Sequence, residues 1–198
     1  NCTVATEETR ALFELGVKEF DALAAQAEPG AGGIVFLPYF NGERTPNLPH
    51  GRACICGVTA ANCSRSNIAR AAMESAIFGM RQALDVFREL GFAPQEIRLT
   101  GGGSKSRLWR QITADIMQLP VQIPDTDEAA AMGGALQALW CLNHIEGNAV
   151  SIEALVSEHV GIQESETAFP DADAGKSYDA AFAEYEKYLN ALSPLFVQ

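Results

Sequence analysis

Gly101, Gly102 and Gly103, followed by Ser104 and Ser106, are the residues of this chain whose types and spacing are best suited to hold a ligand. Without a Cβ, successive glycines let the backbone approach a bound molecule closely, and they accept dihedral angles that other residues resist. Serine hydroxyls just beyond them can cap a helix and present polar contacts. The first N–H groups of such a helix lack internal partners and carry partial positive charge, which favours an anionic or phosphorylated ligand. The other use of a glycine turn is as a packing device between a strand and a helix, but three glycines in a row exceed what that requires. A Walker phosphate loop is excluded because Ser104, not glycine, precedes Lys105. The dinucleotide fingerprint is matched at Gly101 and Gly103, with Asp125 or Asp127 as the downstream acid, but Ser106 stands where its third glycine belongs.

The elements that must position this turn can be read on either side of it. Ile97 and Leu99 alternate with Arg98 as a short buried strand. Leu108, Ile112, Ile116 and Leu119 recur at helical spacing, so a helix capped by Ser104 or Ser106 presents an apolar stripe inward. Arg98, Lys105, Arg107 and Arg110 form a local positive cluster, read either as a solvated helix face or as groups near phosphate.

The whole chain of 198 residues carries 14 basic and 25 acidic residues, a formal net charge of −11, which disfavours nucleic acid and anionic membrane as partners. Hydrophobic residues make up 47%, enough for a sizeable core. Five cysteines, at 2, 54, 56, 63 and 141, show no CxxC spacing and are expected as buried reduced thiols. The histidines at 50, 144 and 159 are scattered and indicate no metal site. With no apolar run long enough to cross a bilayer and no leader, the expected location is the cytoplasm. A first residue of Asn rather than Met is expected for a fragment.

In chain order, residues 1–30 are expected as an N-terminal helix, capped at Thr6, with Leu12, Leu15, Phe20 and Leu23 inward and a stop at Pro29-Gly30. Residues 31–145 form the core. Ile34 to Tyr39 and Ala53 to Val58 read as strands joined by the turn-rich loop Asn41 to His50, and the longest helix follows, capped by Ser66 or Asn67 and closed by Gly91. Its Glu74 is expected to be partly exposed unless it has a specific partner. A short strand, Val121 to Ile123, leads to a helix from Ala129 to Cys141 capped by Asp125 to Glu128, in which Gly133 and Gly134 imply close approach of another backbone or a ligand. Residues 146–198 are acidic and helical, with Tyr178, Phe182, Tyr185 and Leu189 as a core-facing stripe. Alternating strands and helices give an α/β class, a mixed sheet covered by helices.

The run Ala53-Cys-Ile-Cys-Gly57-Val58, eight residues, then Asn67-Ile-Ala-Arg-Ala-Ala-Met-Glu74 resembles in full the C-terminal signature of the FGGY carbohydrate kinases. FLPYFNGERTPNLP, TGGGSKSRLWRQITADIMQLPVQIP and DEAAAMGGALQA are similar to their xylulokinase branch. The resemblance implies one lobe of an actin-like ATPase (ribonuclease H-like) fold, in an enzyme that transfers the γ-phosphoryl group of ATP to a sugar. It implies that Gly101, Gly102, Gly103, Ser104 and Ser106 hold the nucleoside end of ATP or ADP, that Gly133 and Gly134 lie in the helix backing that turn, and that Glu74 is structural or catalytic. Catalytic Asp, phosphate loops and the Mg²⁺ they accompany have no counterpart here, so the chain is expected to be the C-terminal lobe, unable alone to phosphorylate a sugar. The implied partners are a small-molecule sugar, D-xylulose first among them, the N-terminal lobe and, through a cut apolar surface, a second copy as a homodimer. The readings carried beside it are another FGGY kinase acting on ribulose, gluconate or glycerol, a non-catalytic nucleotide-binding or interaction module, and a dinucleotide-dependent oxidoreductase.

Overall fold

A computed structural model describes residues 3–126 and 128–196. Cys2 and Asp127 lie outside the described residues. Seven α-helices and four strands follow in the order α1 (Val4–Leu12), α2 (Val17–Ala24), β1 (Val35–Pro38), β2 (Ala53–Cys56), α3 (Arg65–Glu89), β3 (Ile97–Arg98), α4 (Arg107–Met117), β4 (Val121–Gln122), α5 (Ala129–Ile145), α6 (Ile152–His159) and α7 (Ala172–Leu192) among the described residues. The expected mixed sheet is instead two small ones. β1 pairs antiparallel with β2, Val35 opposite Cys56, and β3 pairs parallel with β4, Ile97 opposite Val121. Residues 161–168 extend the second sheet as isolated antiparallel bridges along β4, at Val121–Ala168 and Pro124–Ile162.

α3 is the axis of the core. Ala69, Ala71, Ala72, Met73, Ile77 and Phe78 are buried among β1, α4 and α7, and the small side chains near its start let α1 and α2 pack closely. The stripe on α7 is buried as its spacing requires, with Tyr178 and Tyr185 wholly enclosed and Phe78 packed 5.4 Å from the Tyr185 ring. The Tyr39 and Tyr185 hydroxyls meet at 2.7 Å, tying β1 to α7. Burial pushes both phenols above their ordinary range.

Several local expectations change. The opening segment is two helices, because Glu14 adopts φ 55° and the chain turns at Phe13–Gly16. Thr6 lies inside α1 with its hydroxyl donated to the Thr3 carbonyl at 2.8 Å, and Leu12 is 78% exposed. α3 is capped by Ser64, two residues earlier than expected, whose Oγ accepts the Asn67 N–H at 3.2 Å. α5 continues past Cys141 to Ile145, and its N-cap Glu128 makes no side-chain cap. Cys54 and Cys56 are half-buried, with their thiols pushed up by burial, whereas Cys63 and Cys141 are exposed.

Glu74 carries the largest correction. It is 1% exposed rather than partly exposed, and Arg70, one helical turn earlier, donates Nε–H to its Oε1 at 2.8 Å. The Gly30 N–H donates to the same oxygen at 3.1 Å, while Arg70 also donates to the Ala27 carbonyl and to the Tyr178 hydroxyl. Burial pushes the Glu74 carboxyl up, and Arg70 and the Gly30 N–H oppose it. The partner that makes a buried glutamate tolerable is thus a guanidinium that joins α3, α7 and the 27–30 turn.

Candidate nucleotide site

β3 delivers the chain to the glycine turn at one end of the parallel pair. Gly101 has φ +83°, a left-handed region that favours glycine, and Gly102–Lys105 then form a single 3₁₀ turn. Ser104 folds back over that turn, its N–H and Oγ both bonded to the Gly101 carbonyl at 3.1 and 2.7 Å. Ser106 is the N-cap of α4, and its Oγ accepts the Trp109 N–H at 3.1 Å. The two serines therefore have distinct tasks, Ser104 shaping the turn and Ser106 starting the helix. Ser106→Ala is expected to lower stability by about 1 kcal/mol through loss of this cap, read from the denaturation midpoint.

A cavity of ≈ 320 Å³ opens on the turn. Gly102, Gly103, Lys105 and Ser106 form one wall, and Val17, Phe20, Met73 and Trp109 supply apolar surface. Thr6, Glu7, Lys18 and Asp21 add polar groups from α1 and α2. Arg10 closes the turn between those helices, paired with Glu7 at 2.5 Å and donating to the Leu15 carbonyl at 2.9 Å. The Trp109 indole lies directly under Gly103, where an added Cβ would sit 3.4 Å from the ring. At Gly102 an added Cβ would meet nothing within 4 Å, so the space above that residue is open. An apolar slot beside glycine backbone and a helix N-terminus can seat a planar base and leave its polar attachments near the turn.

The structure brings Gly102, Gly103 and Ser106 onto one cavity and puts Ser104, 3% exposed, beneath them. It does not bring the positive cluster together as free charge. Arg98 is paired with Glu96 at 3.2 Å, and Arg110 is paired with Glu166 beneath the turn. Asp125, one of the two candidate fingerprint acids, is tied by its N–H to the Gly161 carbonyl and has its carboxylate against Gly161. Gly133 and Gly134 face open space, and the principal neighbour of α5 is α6, so within the described residues this helix does not back the turn through its glycines. The α1 and α2 contributions to the cavity were not legible in the sequence. They reach the turn only through packing on α3, and the loose apolar spacing around Phe20 was their one trace. No group of three or more side chains able to hold a metal ion occurs among the described residues. No helix among them is long and apolar enough to cross a membrane.

A glycine turn between a parallel strand and a capped helix, opening on an apolar cavity, is the geometry of the site, and comparison with known proteins gives the family. Residues 4–142 match the FGGY family of carbohydrate kinases, C-terminal domain, and the chain belongs to that family. A xylulose kinase of Haemophilus influenzae is 42% identical over 196 residues, covering 99% of this chain and 38% of the relative. A gluconokinase of Bacillus subtilis is 30% identical over 179 residues, covering 88% of this chain and 33% of the relative. Among solved structures, the xylulose kinase of Rhodospirillum rubrum superposes with a TM-score of 0.81 at 28% identity, over 97% of this chain and 38% of that one. The fold is that of a lobe of an actin-like ATPase. The chain thus spans well under half the length of the relatives it matches.

Proposed function

We propose that this chain is the nucleotide-binding lobe of an ATP-dependent sugar kinase whose acceptor is a pentulose, D-xylulose before gluconate or glycerol. The observation that carries the nucleotide assignment is the cavity walled by Gly102 and Gly103 and floored by Trp109 and Met73. In this reading the apolar slot takes the adenine, the glycine backbone lies against the ribose, and Ser104 and Ser106 hold the turn and the helix end that face the nucleoside. The preference for xylulose rests on the relative in Haemophilus influenzae, 42% identical over nearly the whole chain.

The catalytic base, the phosphate loops and Mg²⁺ belong, in this proposal, to the N-terminal lobe, and catalysis requires the two lobes to close over ATP and sugar so that water is kept from the transferring phosphate. α5 supports such a partner. Its seventeen residues contain no Asp, Glu, Lys or Arg, only Leu136 is buried, and Leu142 and Ile145 are 51% and 82% exposed. A helix so apolar is ordinarily covered, and its glycine pair leaves room for a closely packed neighbour. The domain boundaries proposed are an N-terminal helical part at 1–30, a nucleotide-binding core at 31–145 and a C-terminal helical part at 146–198.

Amide hydrogen exchange with millimolar ADP, and in parallel with NADH, tests the assignment. Protection of residues 98–110 by ADP and not by NADH is the expected result. Protection by NADH alone would favour the dinucleotide reading, and protection by neither would leave the turn as packing. The lobe by itself is expected to show no ATP-dependent phosphorylation of D-xylulose, and robust turnover by the pure chain would refute that division of labour.

A further inference from the structure

We propose that Arg110 is a positioning residue for the nucleotide turn, a latch that fixes the Gly101–Ser106 backbone from beneath and couples it, through Glu166, to the segment 161–168. The inference rests on the nucleotide reading of that turn. Arg110 stands one turn into α4, and helical side chains lean toward the N-terminus of their helix, so its guanidinium comes to lie under the 3₁₀ turn rather than out in solvent. The side chain is 11% exposed. Its Nη1–H donates to the Ser104 carbonyl at 3.0 Å, and its Nη2–H donates to Glu166 Oε2 in an ion pair.

A cation near a helix N-terminus opposes the helix dipole, and a nearly buried one also loses hydration. Glu166 offsets both. It is held for that task, because the segment carrying it is bonded to β4 on either side. Gln163 N–H donates to the Ile123 carbonyl at 2.8 Å, and Ala168 and Val121 exchange two hydrogen bonds of 2.9 Å. The planar guanidinium serves the two divergent acceptors from separate nitrogens of a rigid fork, whereas an ammonium offers rotatable donors on a single nitrogen. Ser104 in turn grips the Gly101 carbonyl through both its N–H and its hydroxyl. One chain of contacts therefore runs from Glu166 through Arg110 and Ser104 to the first glycine of the turn. These contacts fix Gly101 and Ser104, which flank the Gly102 and Gly103 backbone that walls the cavity.

The test uses the longest natural polypeptide carrying these residues, with ADP affinity measured by calorimetry and steady-state kinetics run with ATP and D-xylulose. Arg110→Met keeps the length and apolar stem of the side chain but releases the Ser104 carbonyl. It is expected to weaken ADP binding and raise KM for ATP by about tenfold, with KM for the sugar within twofold, since small displacements of a positioning group act on the ligand that it positions. Arg110→Lys is expected to recover part of the loss and Glu166→Gln to show a smaller loss of the same kind. An ADP affinity in Arg110→Met within twofold of the parent overturns the latch, whatever happens to the melting temperature. Should that variant fail to fold, Glu166→Gln carries the decision, because its side chain is 42% exposed, and an unchanged ADP affinity there overturns the latch equally. A parent that does not bind ADP removes the nucleotide reading and the latch together, whereas binding by the parent with no change in the variants removes the latch alone.

Discussion

Glu74→Ala is expected to lose about 3–5 kcal/mol of stability, the usual cost of leaving the other member of a buried ion pair uncompensated. For a domain of this size that corresponds to a fall in melting temperature on the order of 10 °C. The physical basis is direct. Arg70 is 6% exposed, and without Glu74 its hydrogen-bond acceptors would be the uncharged Ala27 carbonyl and Tyr178 hydroxyl. The Gly30 N–H would also lose its acceptor inside the protein. Chemical denaturation of parent and variant gives the difference, and a double variant, Arg70→Met with Glu74→Leu, is expected to regain most of it because no charge is then buried. The same experiment decides between the two roles left open by the signature. Glu74 does not line the cavity, so ADP affinity of the folded variant is expected to match the parent. A variant as stable as the parent but unable to bind nucleotide would instead make Glu74 part of the ligand site.

Gly102→Val has the opposite profile. Because an added Cβ at Gly102 meets nothing within 4 Å, the substitution starts into open space, and the expected change in stability is below about 1 kcal/mol. The same open space is where a nucleoside would lie against the turn, so the branched side chain would occupy the ligand's position. ADP affinity is expected to fall at least about a hundredfold, since the base and ribose must be displaced from an otherwise preformed wall. Gly101→Ala differs, because φ +83° at that residue makes even a methyl group strained, and loss of stability accompanies any loss of binding. Undiminished ADP binding by Gly102→Val would show that the nucleotide sits elsewhere.

The periodic signals were the most legible part of this chain. The α7 stripe Tyr178, Phe182, Tyr185 and Leu189 and the α4 stripe Ile112 and Ile116 are buried as their spacing requires, because side-chain direction in a helix follows from local geometry alone. The glycine turn was visible for a similar reason, since consecutive glycines mark a backbone requirement and the capping serine lies within the same few residues. The break in the opening helix was not visible. Nothing in the spacing of Leu12, Leu15 and Phe20 distinguishes one curved helix from two joined at Glu14, and burial of Phe20 against α3 decides it. Likewise Ser64, Ser66 and Asn67 crowd the start of α3, and each is chemically able to cap it.

By itself the sequence determined the family signature, the strand–glycine–helix unit and the identity of the residues that hold its turn. Tertiary structure decided what each charge meets. Glu74 found Arg70 from its own helix but Gly30 from 44 residues away, and Arg110 found Glu166 across 56 residues. Likewise α1 and α2 supply much of the cavity facing a turn some 80 residues later in the chain. Local geometry is set by near neighbours and can be read from spacing, whereas the partner of a buried charge and the far wall of a cavity depend on which surfaces pack together.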